Sequence, residues 1–100
     1  MEKITQQGQY WHIVGEVVFS NASMLLEATN SFDKTHQTIV DFAQVTIVDT
    51  SAISLMLEWR RRATALQSSI SFENLSPNLL SLIDLYGVEE MILETSSHSI

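Results

Sequence analysis

The 100-residue chain predicts a single α/β domain, and three observations carry that expectation. β-branched runs alternate with stretches of helix-forming residues, an order that requires crossover connections and a mostly parallel sheet. Hydrophobic residues make up 45% against 17% charged, the balance of a chain that folds around a core. A chain of this length has too little surface to bury for two cores. With no repeat, low-complexity segment or linker composition before residue 93, we expect one domain over residues 1–100.

The elements follow in order. Residues 3–5 and 10–14 hold β-branched and aromatic side chains, and Gln6, Gln7 and Gly8 between them suit a turn, so the chain opens on an antiparallel hairpin. Gly15 and Glu16 are expected to end the second strand, after which Ser20, Asn21 and Ser23 offer oxygens to cap a helix. From residue 24 to about 34, Met24, Ala28 and Phe32 recur every fourth position with Leu25 beside them, a single helical stripe that leaves Leu26 outside. Residues 38–42 read as a strand, and Val45, Ile47 and Val48 carry the apolar character to Asp49, the content of a strand covered on both faces. Asp49, Thr50 and Ser51 then supply helix-start oxygens, and residues 52–67, free of glycine and proline, form the longest helix. A β run at 69–72 leads to Ser76-Pro77, where serine caps and proline takes the first helical turn without losing a hydrogen bond. That helix runs to Gly87, which suits a left-handed closing position. Residues 88–93 are expected to add a last short strand, and 94–100 a frayed tail.

Several function classes fall away. Twelve acidic and five basic residues give a net charge of −7, which argues against binding nucleic acid or an anionic membrane surface. No cysteine is present, so disulfides, thiolate metal sites and a cysteine nucleophile are excluded. No run reaches the roughly 18 apolar residues of a membrane helix, and the first fifteen residues lack a signal-peptide layout, so a cytoplasmic location is expected. His12, His36 and His98 stand apart with no ligand spacing, and Gly8, Gly15 and Gly87 sit at element ends rather than in a phosphate-cradling loop. The adjacent Glu89 and Glu90 read as solvated surface. We therefore expect no catalytic, cofactor-binding or metal-binding residues, and a protein that is not an enzyme.

What remains is surface. On a helical wheel Ile53, Leu55, Met56, Leu57, Trp59, Ala63 and Leu66 cover a much wider arc than one sheet-facing stripe needs. The arc divides into a core stripe and a second stripe open for docking, with Leu55 and Trp59 either on the latter or packed under a neighbouring helix. Arg60, Arg61 and Arg62 set a positive cluster on an acidic chain; Glu58 and Arg62, four apart with the acid first, make a favourable pair that accounts for one of the three. In the next helix Leu79, Leu80, Leu82, Ile83, Leu85 and Tyr86 leave only Ser81 and Asp84 for water, so it is deeply buried or meets a partner. Both helices point to a protein whose work is binding another protein.

The run Asp41-Phe42-Ala43-Gln44-Val45, followed by Ile47-Val48-Asp49-Thr50-Ser51-Ala52-Ile53, resembles the signature of STAS domains, the family of anti-sigma-factor antagonists. There a strand ending in Asp-Leu-Ser precedes Asp-Ser-Ser-Gly at a helix start. Val14-Gly15-Glu16, the segment holding Phe72, Asn74, Leu75, Ser76 and Pro77, and Leu85-Tyr86-Gly87-Val88 extend the resemblance over nearly the whole chain. Within the family, residues 55–63 are most similar to the cytoplasmic STAS subunit of a phospholipid-transporting ABC complex.

The resemblance implies a four- to five-stranded, mostly parallel mixed sheet with helices packed on one face. It also implies a functional surface where the second helix begins. Ser51 matches the position that a partner kinase phosphorylates in the antagonist branch, and Thr50 matches the hydroxyl residue that meets the ATPase subunit in the transport branch. By local chemistry alone the same two residues would be helix caps worth about 1 kcal/mol. Ala52 departs from the family's glycine, placing a methyl group where glycine leaves room for a partner's backbone. The expected partner surface comprises Thr50, Ser51, Leu55, Trp59, Arg60, Arg61 and Arg62, with Ser51 and Thr50 as phosphorylation candidates. The leading expectation is a non-enzymatic subunit that binds and supports the ATPase of an ABC phospholipid transporter maintaining outer-membrane lipid asymmetry, cytoplasmic and peripheral to the inner membrane through that partner. The alternative is a phospho-switched antagonist that binds an anti-sigma serine kinase.

Overall fold

The computed structural model describes residues 3–34 and 37–93. Four strands and four helices follow one another: β1 (Lys3–Gln7), β2 (Tyr10–Val17), α1 (Ala22–Ala28), β3 (Thr38–Val48), α2 (Thr50–Ala65), β4 (Ile70–Glu73), α3 (Pro77–Leu85) and α4 (Glu89–Ile92). The sheet order is β1-β2-β3-β4; the first pair is antiparallel and the others are parallel.

The opening hairpin turns one step later than its side chains suggest. Gln7 pairs with Tyr10, and Gly8 at φ 65° takes the left-handed conformation that a two-residue connection demands. β2 does not stop at Gly15 and Glu16. It runs to Val17 by absorbing register shifts against β3 between His12 and Val14 and between Gly15 and Glu16, with Gly15 at φ 102°.

α1 is shorter than the apolar stripe implies. The Thr29 hydroxyl donates to the Leu26 carbonyl at 2.7 Å, the chain tightens into a 3₁₀ turn over Thr29–Ser31, and Phe32 leaves in an extended conformation. Asn21 precedes α1 but makes no cap bond. Ser76, in contrast, caps α3 as expected, its hydroxyl accepting from the Leu79 amide at 3.1 Å with Pro77 in the first turn.

The expected strand at 88–93 is instead α4. Gly87 at φ 66° reverses the chain after α3, Val88 N–H returns to the Ile83 carbonyl, and Met91 and Ile92 N–H both bond the Val88 carbonyl. The turn drives Ile92, fully buried, back under the helices, so its apolar side chain is satisfied without a fifth strand. The tail at 94–100, together with His36 and His98, lies outside the described residues.

One face of the sheet carries the core. Trp11, Ile13, Val40, Phe42 and Ile70 pack against Leu25 of α1, Met56 and Trp59 of α2, and Ile83 of α3. Trp11 sits at its centre, with Phe32 and Trp59 edge-on at centroid distances of 5.2 and 5.6 Å. On the opposite face Thr5, His12, Asp41 and Glu73 stand in register across all four strands with no helix over them. β3 is therefore not covered on both sides along its length. β4 accompanies it only as far as Asp41, and beyond that point Ala43, Gln44, Thr46 and Ile47 are exposed.

Candidate functional site

The connection from β3 to α2 is organised by Asp49. Its backbone is extended, and its two carboxylate oxygens take different amides: Oδ1 accepts from Ser51 N–H at 2.8 Å and Oδ2 from Phe19 N–H at 3.1 Å. Asp49 N–H in turn reaches the Val17 carbonyl at 3.3 Å. The cap is thus Asp49, and Thr50 and Ser51 are the first two residues of α2 rather than its caps. Thr50 is exposed and Ser51 half-buried. Ala52 is fully buried, so the methyl group that replaces the family's glycine points into the core and takes no room from the surface.

The loop between β2 and α1 is held from its other end by Asn21, itself buried. Its side-chain oxygen accepts from Val18 N–H at 3.0 Å and its amide donates to the Glu16 carbonyl at 2.8 Å. Between Asn21 and Asp49 the loop presents Phe19 at 85% exposure. Phe19 lines an open groove of about 440 Å³ together with Ser23 and Leu26 of α1 and Ser51, Ser54, Leu55 and Glu58 of α2. Leu26, outside the core stripe in sequence, faces this groove. Phe19 was not singled out from sequence; its only signal is a bulky aromatic in a polar loop just before a helix.

The three arginines do not form one patch, because successive residues on a helix point about 100° apart. Arg60 turns toward α4, donates to the Ile92 carbonyl and lies 5.8 Å over the Phe72 ring, so it fastens α2 to α4. Arg62 turns toward the end of α1, bonding Glu58 Oε2 at 2.8 Å and Asn30 Oδ1 at 3.0 Å. Arg61 points outward and grips both oxygens of Glu58 at 3.0 and 2.6 Å. The hydrogen bonds from Arg61, then those from Arg62, hold the Glu58 carboxyl down to about 2. Trp59, 2% exposed, belongs to the core, whereas Leu55, 4% exposed, packs in the core and also lines the α1–α2 groove.

The open sheet face holds a cluster that isolated histidine spacing did not reveal. Asp41 Oδ1 accepts from Asn74 Nδ2 at 2.8 Å and from Ala43 N–H at 2.9 Å, while its other oxygen lies 3.1 Å from His12 Nδ1. Asn74 has φ 61°, so Asp41 pins a left-handed residue where β4 turns into α3. Among the described residues no group of histidine and carboxylate side chains could hold a metal ion, and no helix is long and apolar enough to cross a membrane.

Two of these carboxylates set an acid limit. The Asn74 amide, then Ala43 N–H and His12, hold Asp41 below the usual carboxylate range. Burial works against the Asp49 charge, yet the Ser51 and Phe19 amides outweigh it and lower this group too. A carboxylate lowered by folding contributes stability that is present above its unfolded value of about 4 and is lost as pH falls through the folded value. The urea midpoint should therefore drop on acidification below about pH 4. In Asp49→Asn the same titration should be shallower, and a slope equal to that of the unaltered chain would exclude Asp49 as a contributor.

The chain is thus a mixed α/β fold, a four-stranded sheet with helices on one face and an exposed aromatic beside the start of α2. The family model described as "Mlab, STAS domain" matches residues 2–94, and the chain belongs to the STAS family. STAS domains mediate protein–protein interactions and are generally non-enzymatic. No curated protein matches the chain.

Among solved structures, the chain is similar to the unphosphorylated anti-sigma factor antagonist SpoIIAA (TM-score 0.62, 15% identity, covering 85% of this chain and 83% of that one). It is also similar to a sulfate transporter family protein from Wolinella succinogenes (TM-score 0.63, 17% identity, 88% and 74% covered). The murine anion transporter Slc26a9 matches with TM-score 0.64 at 18% identity over 86% of this chain. The chain spans only 15% of that transporter and 20% of the protein Mglu, another match. At these identities the likenesses show the fold.

Proposed function

We propose that this STAS domain is a non-enzymatic subunit that docks on the ATPase of an ABC-type phospholipid transporter, one that maintains outer-membrane lipid asymmetry. The contact uses Phe19, Thr50, Ser51, Ser54 and Arg61. The carrying observation is Phe19, 85% exposed on a loop fixed by Asn21 and Asp49, next to the exposed first turn of α2. An aromatic anchor on an already ordered loop forfeits little entropy on docking, which is what makes such residues dominate interfaces. The family description and the similarity of residues 55–63 to the transport-branch subunit support the choice of partner. In this reading the partner performs ATP hydrolysis, and the domain sits on the cytoplasmic side of the inner membrane through it.

The competing antagonist reading turns on Ser51. Asp49 already occupies the Ser51 amide that a phosphate at this helix start would use, so phosphorylation would set two anions against each other and loosen the loop carrying Phe19. Tagged protein purified from its native cells in mild detergent, with its partners identified by mass spectrometry, separates the two. An ABC ATPase with its permease is the expected result. A serine kinase in their place, with phosphate on Ser51, would replace the transport reading by the antagonist one.

A further inference from the structure

We propose that the corner between α3 and α4 is a second docking surface, built for a cationic amphipathic segment of a partner protein. Leu85, Tyr86, Met91 and Leu93 are 74%, 54%, 56% and 40% exposed, so four large apolar side chains face solvent within nine residues. Val88 N–H bonds the Ile83 carbonyl, Ile83 and Ile92 are fully buried, and Arg60 fastens the Ile92 carbonyl from below, so the corner is fixed on both sides of Gly87. An exposed apolar patch on a rigid support marks an interaction site rather than incidental surface.

Charge selects the occupant. Asp84, Glu89 and Glu90 adjoin these apolar residues along α3 and α4, with Asp84 and Glu90 exposed and Glu89 half-buried, and no lysine or arginine follows Arg62 in the sequence. Arg60 reaches the corner, but its guanidinium is engaged by the Ile92 carbonyl and the Phe72 ring. A second copy of the chain would bring the same three carboxylates against themselves, and an anionic bilayer would be repelled by them. The chain's own residues past Leu93 add Glu94 and no lysine or arginine, so they do not complement these carboxylates either. A partner segment with apolar side chains interleaved with lysine or arginine meets both halves of the pattern. This surface is separate from the α1–α2 groove, so both can be occupied together.

The test uses the full chain, a synthetic amphipathic helix of leucine and lysine, and a leucine–glutamate peptide of the same pattern. The lysine peptide should bind, weaken as salt is raised, and move amide resonances of residues 84–93. The glutamate peptide should not bind. In the double variant Leu85→Ser with Tyr86→Ser, whose positions are exposed and whose circular dichroism should be unchanged, affinity should fall at least about tenfold. Unaltered affinity in that variant, or resonance shifts confined to Phe19 and Ser51, would overturn the proposal. So would a dimer in sedimentation that the double variant dissolves, which would assign the corner to a second copy.

Discussion

Replacing Trp59 with alanine is expected to lower the unfolding free energy by about 3–5 kcal/mol, the range for deleting a large buried aromatic. Trp59 is 2% exposed, stands edge-on to Trp11 at 5.6 Å, and donates from Nε1 to the buried Thr29 hydroxyl at 3.1 Å. The substitution therefore opens a cavity in the middle of the core and takes from Thr29 the donor it accepts from. Against a total stability of order 5–15 kcal/mol, the loss is a large fraction of what keeps the chain folded. Trp59→Phe should cost less, because a ring still meets Trp11, the losses being the hydrogen bond and part of the buried indole. Urea titration followed by circular dichroism checks both. A Trp59→Ala protein of unaltered stability but weakened partner binding would return this residue to the interface.

Phe19→Ala should behave in the opposite way. The side chain is 85% exposed, and the loop is held through the Phe19 backbone amide rather than its ring, so stability should change by less than about 0.5 kcal/mol. If the ring is the anchor of the docking surface, binding to the ATPase should weaken by about 2 kcal/mol, roughly 30-fold. Titration calorimetry with the purified ATPase subunit measures this directly. Affinity within twofold of the unaltered chain would remove Phe19 from the interface. The pair of variants separates core from contact, since each should leave the other's readout nearly untouched.

The contrast explains what could be read from residues and what could not. Alternation of β-branched runs with helix formers located every strand of the sheet and the three longer helices, and Ser76-Pro77 marked the start of α3 to the residue, because caps and period are local. The segment at 88–93 forms a short helix where its sequence suggests a strand, because its β-branched and apolar content fits both equally and only the reversal at Gly87 decides between them. Leu55 and Trp59 looked spare on a wheel because periodicity counts one sheet-facing stripe, whereas α2 packs against α1, α3 and α4 as well as the sheet. The arginines looked like a patch because adjacency in sequence is not adjacency on a helix surface. The helix start was legible as a motif, but Phe19 lies thirty residues from Asp49, and nothing local announces that one carboxylate holds both.

That shared carboxylate makes the loop and the helix end a single mechanical joint. Because Oδ1 restrains Ser51 and Oδ2 restrains Phe19, loosening one amide withdraws the geometry that holds the other, and the two open to solvent as one event rather than two. A partner that clamps the Phe19 ring is thereby expected to slow hydrogen exchange at the Ser51 amide through Asp49 as well. Conversely, a bulky anion at Ser51 unlatches the ring from a distance of one side chain.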